Sequence, residues 1–267
     1  MTKLCKQIVR HRRLFCILLT ALECIAFFPP LYTLGWHPIA LLLIALLLSL
    51  LNWLFVSALQ ARLLQAPLRV LSKTGDPAPL LRVTEELLSY RLSENDRIQI
   101  EINRCVALRE MGELTQVRDV LLSIHIDKKA STLPVTKAVW YSNVADVCEL
   151  LGETAEARLY AQKAQQIYGD MPNNQFRRML KNTMEVMEAN ESLHQGNYPE
   201  ALGLLSRIET EDMPLQAEIH LLRARIYLAQ GNGTEAERAL TRAASLGDGL
   251  YAVRTAKSML SENSNDI

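Results

Sequence analysis

The sequence predicts an all-α protein in which an N-terminal two-helix transmembrane hairpin precedes an α-solenoid of about four helix-turn-helix repeats with flanking helices. Two apolar stretches before residue 57 predict the hairpin. The solenoid is predicted by a pattern of glycine and small apolar residues that recurs in the second half of the chain. Strand-type alternation of apolar and polar residues is not sustained in any segment.

The apolar stretches cover residues 14–28 and 38–56. Spans of roughly 20 residues match the bilayer core of about 30 Å. A cleaved signal peptide is one alternative, but it requires a single shorter apolar region and a small-residue cleavage site. A buried helical pair in a soluble core is the other alternative. Four polar residues interrupt the stretches: Thr20, Glu23, Ser49 and Asn52.

Basic residues predict the orientation of the hairpin. Residues 32–37, between the two stretches, contain no Lys or Arg. Since basic residues near a span tend to remain in the cytoplasm, both termini and the repeat domain are predicted to be cytoplasmic, in a protein of the cell membrane. The basic residues outside the stretches are Lys3, Lys6, Arg10, Arg12 and Arg13 on one side, and Arg62, Arg69 and Lys73 on the other.

Glycine and proline predict where the two membrane helices end. A tight turn is expected at Gly35, and Pro38 suits the first turn of the second helix. Pro29 and Pro30 are expected to end or kink the first helix, because proline lacks the backbone N–H that a helix needs.

Composition divides the chain into five segments. Three prolines and Gly75 within residues 65–79 indicate a turn-rich connector after the hairpin. The predicted segments are a basic cytoplasmic N-terminus at 1–13, the hairpin at 14–59, a linker at 60–78, the repeat domain at 79–262 and a disordered tail at 263–267.

Four glycines mark the repeat units. Small side chains before and after each glycine let the two helices of a hairpin approach closely, so these positions are predicted to serve packing. The glycines suit a left-handed turn between the helices. The glycines are Gly112, Gly152, Gly196 and Gly231; the residues five positions later are Val117, Ala157, Ala201 and Ala236, and those seven positions earlier are Cys105, Ala145, Ala189 and Ala224.

The third unit, Gly196-Asn197-Tyr198-Pro199-Glu200-Ala201, resembles the turn between the two helices of a tetratricopeptide repeat. The units at Gly231 and Gly152 are similar to it, whereas the unit at Gly112 is degenerate and Ser192 replaces the larger apolar residue of the family. The resemblance covers roughly residues 98–247. The glycines are separated by 40, 44 and 35 residues against 34 in the family, so the first two intervals require longer helices or connections.

The resemblance implies a concave groove that binds a protein or peptide and needs no cofactor. No lysine occupies the groove positions, which argues against the basic clamp of some family members. Asn143, Asp146, Asn190 and Arg225 are the predicted partner-binding residues, with solvated helix faces as the alternative reading. The other groove positions are Gln99, Ile102, Val106, Arg109, Val139, Ser142, Glu149, Thr183, Val186, Leu193, Glu218, Leu221 and Leu228.

Glu23 is the acidic residue within the apolar stretches. If the hairpin turns near Trp36, Glu23 lies at the depth of Ser49, with Asn52 one turn away. A hydrogen bond from Ser49 or Asn52 is expected to hold a protonated Glu23, because an ionised carboxylate in mid-bilayer is costly. A proton or ion pathway and contact with another membrane protein are the alternatives.

Enzymatic, metal-binding and nucleic-acid-binding functions find no support in the sequence. The chain has no HExxH, GxSxG or phosphate-binding glycine loop, and its five cysteines lack metal-ligand spacing, so no catalytic or metal site is predicted. Residues 60–267 hold 24 Lys and Arg against 28 Asp and Glu, and 24 − 28 = −4. An acidic domain disfavours phosphate contacts with nucleic acid.

These observations predict a membrane-anchored scaffold that captures a partner protein or peptide in a cytoplasmic groove and holds it at the bilayer. The alternative is a small integral-membrane subunit of a transport or envelope-assembly complex, in which the hairpin makes the functional contact. A homo-oligomer that pairs through the repeats is a third alternative.

Overall fold

The structure is a computed structural model that describes residues 2–128 and 132–265. Most of these residues lie in helices. No strand occurs within these ranges, so the predicted all-α class is confirmed. A short 3-10 helix spans Ile126–Lys128. The α-helices in these ranges are α1 (Thr2–Arg10), α2 (Arg12–Thr33), α3 (Pro38–Thr74), α4 (Ala78–Leu88), α5 (Glu94–Met111), α6 (Leu114–Ser123), α7 (Pro134–Leu150), α8 (Thr154–Asp170), α9 (Gln175–His194), α10 (Tyr198–Ser206), α11 (Met213–Ala229), α12 (Gly233–Ala244) and α13 (Tyr251–Asn265).

Helices α2 and α3 form the N-terminal hairpin. The turn between them contains Gly35 at a left-handed φ of +82°, and Pro38 lies in the first turn of α3. Helix α2 does not end at Pro29 and Pro30 but continues through both to Thr33. Both prolines lie near the end of α2, so the hydrogen bonds that they remove affect only the final turns.

Helix α3 is the longest element and extends well beyond the length of a membrane span. Its 37 residues correspond to about 55 Å at 1.5 Å per residue, against about 30 Å for a bilayer core. The turn-rich connector predicted at 65–79 is instead helical up to Thr74, and α4 begins at Ala78. The boundaries of the linker at 60–78 stay a prediction.

Burial explains why this segment is helical despite Pro67. Leu64, Leu68 and Leu71 recur at helical spacing on the side of α3 that packs against α4 and α11. A proline in a helix costs about 3 kcal/mol, whereas burial of Leu71, which is 4% exposed, contributes about 1.5–3 kcal/mol, and the partly buried Leu64 and Leu68 add to it. Helix α3 ends where Gly75 adopts a left-handed φ of +67° and donates its N–H to the Leu71 carbonyl.

Helix α1 and the start of α2 clamp the hairpin to the repeat domain. Lys6 forms an ion pair with Glu86 of α4. Arg12, which is 5% exposed, pairs with Asp96 of α5. The guanidinium of Arg12 also lies 3.5 Å from the ring centroid of Trp53 on α3. These contacts join the apolar hairpin to α4 and to α5, the first repeat helix.

Helices α5 to α12 form four consecutive helix pairs, which are the eight repeat helices expected from the sequence. The glycines between the paired helices have left-handed φ values from +72° to +88°. Ala157, Ala201 and Ala236, five residues after a repeat glycine, are at most 5% exposed. The repeat residues thus lie at the turns and at the contacts between helices.

The solenoid curls until its last helices meet its first. Helix α11 contacts α3, and α13 contacts α5. The loop between α12 and α13 lies against the end of α3, where a Cβ on Gly247 would be 2.7 Å from the Thr74 carbonyl oxygen and a Cβ on Gly249 would collide with the Gly75 carbonyl oxygen. This closure brings α13 to the inner face of the repeats, where Tyr251 and Ala252 face the same space as α5 and α11.

The C-terminal tail differs from the expectation. Residues 263–267 were predicted to be disordered, but the backbone of α13 is helical to Asn265. Residues 266 and 267 lie outside the described residues.

Candidate functional site

The first helices of the repeat pairs surround a central cavity of about 540 Å³. Helices α5, α7, α9 and α11 contribute most of its lining, and Tyr251 of α13 lies at its edge. All four predicted partner-binding residues, Asn143, Asp146, Asn190 and Arg225, line this cavity. Their role in binding stays a prediction.

Most of the other groove positions also line the cavity. Arg109, Ser142, Glu149, Thr183 and Glu218 are among them. The positions that do not line it are Gln99, Ile102, Leu193 and Leu228. The positions that do not line the cavity lie in the N-terminal half of α5 and near the C-terminal ends of α9 and α11.

Arg109 lies at the centre of an ion-pair network across the cavity. Its Nε and Nη2 donate to the two carboxylate oxygens of Asp146 at 2.7 and 3.1 Å. Nη2 also lies 3.1 Å from Glu218 Oε2, and Nη1 donates to Glu110 Oε1 at 2.5 Å. One guanidinium therefore connects α5, α7 and α11 and faces three carboxylates.

The excess of carboxylates shifts the titration of this network. Burial raises the pKa of Glu218 to about 7; Arg109 opposes the shift, and Asp146 and Glu110 add to it. Burial alone would lower the pKa of Arg109, but the surrounding carboxylates hold it well above its usual value. Glu218 therefore changes its charge near neutral pH.

Glu110 connects the first repeat to the last helix. The side chain of Glu110 is only 2% exposed, and its Oε2 accepts from the backbone N–H of Tyr251 at 3.3 Å. Its carbonyl oxygen accepts from Arg254 Nη2 at 2.8 Å. The sequence analysis did not identify Glu110, because its partners are 141 and 144 residues away and no local pattern marks them.

Several polar groups in the cavity have unused hydrogen-bonding capacity. Asn143 Nδ2 donates to the Val139 carbonyl at 2.7 Å, which leaves its amide oxygen available. The side chains of Asn190 and Arg225 form no hydrogen bond or ion pair with the described part of the chain. These groups can bind the backbone or the side chains of an inserted segment.

The hairpin carries a separate polar cluster. Asn52, which is 7% exposed, donates through Nδ2 to Glu23 Oε2 at 2.9 Å and to Thr20 Oγ1 at 3.1 Å. Ser49, the other predicted partner of Glu23, is exposed instead. Thr20 also belongs to this cluster, although its sequence pattern predicted no role for it.

Within residues 2–128 and 132–265, no group of three His, Cys, Asp or Glu side chains could hold a metal ion. The cysteines are free thiols. Burial raises the pKa of Cys105 and Cys148 to about 12 in each case, so both thiols are protonated and weakly nucleophilic at neutral pH.

Comparison with known proteins finds a family match over the third and fourth helix pairs. The family model for the tetratricopeptide repeat matches residues 186–250. This range begins within α9 and ends just before α13. Neither the curated proteins nor the solved structures contain a match to the chain.

Proposed function

We propose that this chain is a membrane-tethered adaptor. The proposal proceeds from its tetratricopeptide repeats, which serve protein–protein interaction. The adaptor captures a short segment of a partner protein in the central cavity. The observation that supports this role most directly is the convergence of Asn143, Asp146, Asn190 and Arg225 on one cavity of about 540 Å³. Cavities of roughly 300–1,000 Å³ bury most of the surface of a drug-sized ligand, so this one can take the side chains of a short inserted segment.

The exposed surface of the hairpin supports the tether. Helices α2 and α3 are long and apolar enough to span a membrane, and only 6% and 17% of their most apolar windows are buried. A core helix of a soluble protein would be mostly buried. Lipid is the environment that such a surface requires, since a large exposed apolar area is unfavourable in water.

The ion pair of Arg12 with Asp96 and the continuous helix α3 fix the orientation of the repeat domain relative to the hairpin. The cavity keeps a defined position relative to the membrane, unlike a domain on a flexible linker. A bound partner is concentrated at the bilayer and presented in one orientation.

Photo-cross-linking in lipid nanodiscs tests the adaptor function. A cross-linking side chain at Thr183, an exposed position in the cavity lining, will label the partner segment, which mass spectrometry identifies. The triple variant Asn143→Ala, Asn190→Ala, Arg225→Ala should reduce labelling at least tenfold, because it removes the available hydrogen-bonding groups. Arg178→Ala, at an exposed position outside the cavity lining, is the matched control. Equal labelling of the triple variant and the control would exclude capture by this cavity.

A second candidate function places the functional contact in the hairpin, and the exposed apolar surface of α2 and α3 favours it. The hydrogen bonds of Asn52 to Glu23 and Thr20 support a structural role for Glu23 instead. We expect Glu23→Leu to leave membrane insertion intact, measured by resistance to carbonate extraction, and to leave partner labelling unchanged. The loss in hairpin stability should be about 1 kcal/mol. If Glu23→Leu inserts normally but abolishes labelling, the hairpin alternative replaces the adaptor.

A further inference from the structure

A second cavity lies on the outer side of the fourth repeat, between α11 and α12 and beside the end of α10. Its volume is about 270 Å³, and it shares no lining residue with the central cavity. Three arginines and one glutamate line it, a local balance of +2 when His220 is neutral. Residues 60–267 as a whole carry 24 − 28 = −4, so this pocket has the opposite sign to its domain.

The arginines of the pocket have little internal compensation. Arg238 Nη1 donates to Glu235 Oε1 at 2.5 Å, which uses the only carboxylate in the lining. Arg223 Nη2 donates to the Leu205 carbonyl at 3.0 Å, a contact that leaves the charge of Arg223 uncompensated. Arg242 forms no ion pair or hydrogen bond through its guanidinium within the described ranges.

Two neutral polar side chains without partners also line the pocket. His220 Nδ1 is buried without a hydrogen-bond partner. Burial lowers the pKa of His220, and Arg223 and Arg242 lower it further, so the imidazole is neutral at pH 7. The Tyr227 hydroxyl also finds no partner among the described residues. Positive groups and unused donors thus converge on one small volume from two helices.

We propose that this outer pocket binds a phosphoryl group. Arg223 and Arg242 supply the charge, and His220 and Tyr227 supply further hydrogen bonds. Guanidinium groups bind phosphate oxygens with paired N–H donors, and a tetrahedral dianion offers acceptors in several directions at once. A carboxylate is planar and carries a single charge, so it would satisfy fewer of these donors. The proposal does not depend on the adaptor function, because the two cavities share no residue.

Titration with inorganic phosphate tests the proposal. Full-length protein in phosphatidylcholine nanodiscs is titrated by calorimetry at constant ionic strength, with chloride as the reference anion. Saturable binding of phosphate is expected. Arg242→Gln should raise the Kd at least tenfold, since a charged hydrogen-bonding group is lost, and this exposed side chain has no described partner whose loss would disturb folding. Arg178→Gln, an exposed arginine of α9, should leave the Kd unchanged.

A second phosphate titration, in nanodiscs that contain phosphatidic acid, distinguishes a lipid headgroup from a soluble compound as the source of the phosphoryl group. A weaker apparent affinity for inorganic phosphate in these discs would identify a lipid headgroup as the ligand. An unchanged affinity would identify a soluble phosphoryl compound. Absence of saturable phosphate binding, or equal binding by wild type and Arg242→Gln, overturns the proposal.

Discussion

Arg109 links three of the four repeats through its contacts with Asp146 and Glu218. It also neutralises Glu110, which is almost fully buried. Loss of one partner from a buried ion pair leaves an uncompensated charge, which costs more than the pair itself contributes. The groove position with the largest structural role is therefore Arg109 rather than one of the four predicted binding residues.

We expect Arg109→Ala to lower the free energy of unfolding by about 3–5 kcal/mol, because Glu110, Asp146 and Glu218 would lose their shared cation. Thermal and urea denaturation of the detergent-solubilised protein measure the loss. Arg178→Ala should change stability by less than about 0.5 kcal/mol. A similarly small change for Arg109→Ala would show that the network is not coupled to folding.

Glu218 should make stability depend on pH in the neutral range. Its pKa is raised from 4.5 in the unfolded chain to about 7 in the folded protein, so between these values the folded state binds more protons. The contribution of Glu218 to stability is thus fully present below about pH 4.5 and is lost as the pH rises through 7.

We expect Glu218→Gln to reduce the loss of stability between pH 5 and pH 8 by an amount on the order of 2 kcal/mol, because glutamine does not titrate. Unfolding curves at both pH values measure the difference. Glu237→Gln, at an exposed position on α12, should reproduce the wild-type dependence. If Glu218→Gln and Glu237→Gln give the same dependence as wild type, Glu218 titrates as an ordinary glutamate.

At the scale of elements, the junction between α3 and the loop before α13 closes the solenoid. Backbone approaches backbone there, and the absence of side chains at Gly247 and Gly249 permits the contact. Leu250, which is fully buried, fills the space beside Gly75. The junction joins the last repeat to the C-terminal end of α3.

Gly249→Ala should destabilise the protein by about 1–3 kcal/mol, because the new Cβ would collide with the Gly75 carbonyl oxygen. Gly233→Ala provides the matched control, since nothing lies within 4 Å of its Cβ position and it begins a helix. That control should be neutral or stabilise by up to about 1 kcal/mol. Differential scanning fluorimetry compares the two variants, and equal melting temperatures would contradict the tight junction.

At the scale of the whole molecule, the apolar hairpin and the repeat domain share helix α3. The C-terminal part of α3 contributes Leu64, Leu68 and Leu71 to the same core as Leu80 and Leu250. The packed core of the repeats therefore includes the end of α3, which precedes residue 79.

A soluble fragment of residues 60–267 should therefore be more stable than one of residues 79–267. The shorter fragment loses Leu71, whose burial contributes about 1.5–3 kcal/mol, and the smaller contributions of the partly buried Leu64 and Leu68. It also exposes the face of α4 and α11 that they cover. Thermal melting and light scattering of both fragments measure stability and aggregation. Equal melting temperatures would restore the boundary predicted at residue 79.

Local patterns predicted the fold class and much of the candidate site. The glycine and alanine spacing depends on contacts between neighbouring helices, and such contacts repeat at fixed intervals along the chain. For this reason the eight repeat helices and the placement of Asn143, Asp146, Asn190 and Arg225 followed from the sequence. The helical state of residues 60–74 did not, because proline and glycine give only local preferences, and burial against distant helices outweighs them.

The sequence by itself determined that the chain is helical, that it repeats, and that two of its helices are apolar enough to cross a membrane. Only the tertiary structure decided that the solenoid closes on α3 and that Glu110 meets Tyr251 across 141 residues. Likewise, only the tertiary structure brings Arg223, Arg238 and Arg242 together around the outer pocket. The physical reason is that periodic packing is encoded in nearby residues, whereas ring closure depends on curvature accumulated over all the repeats.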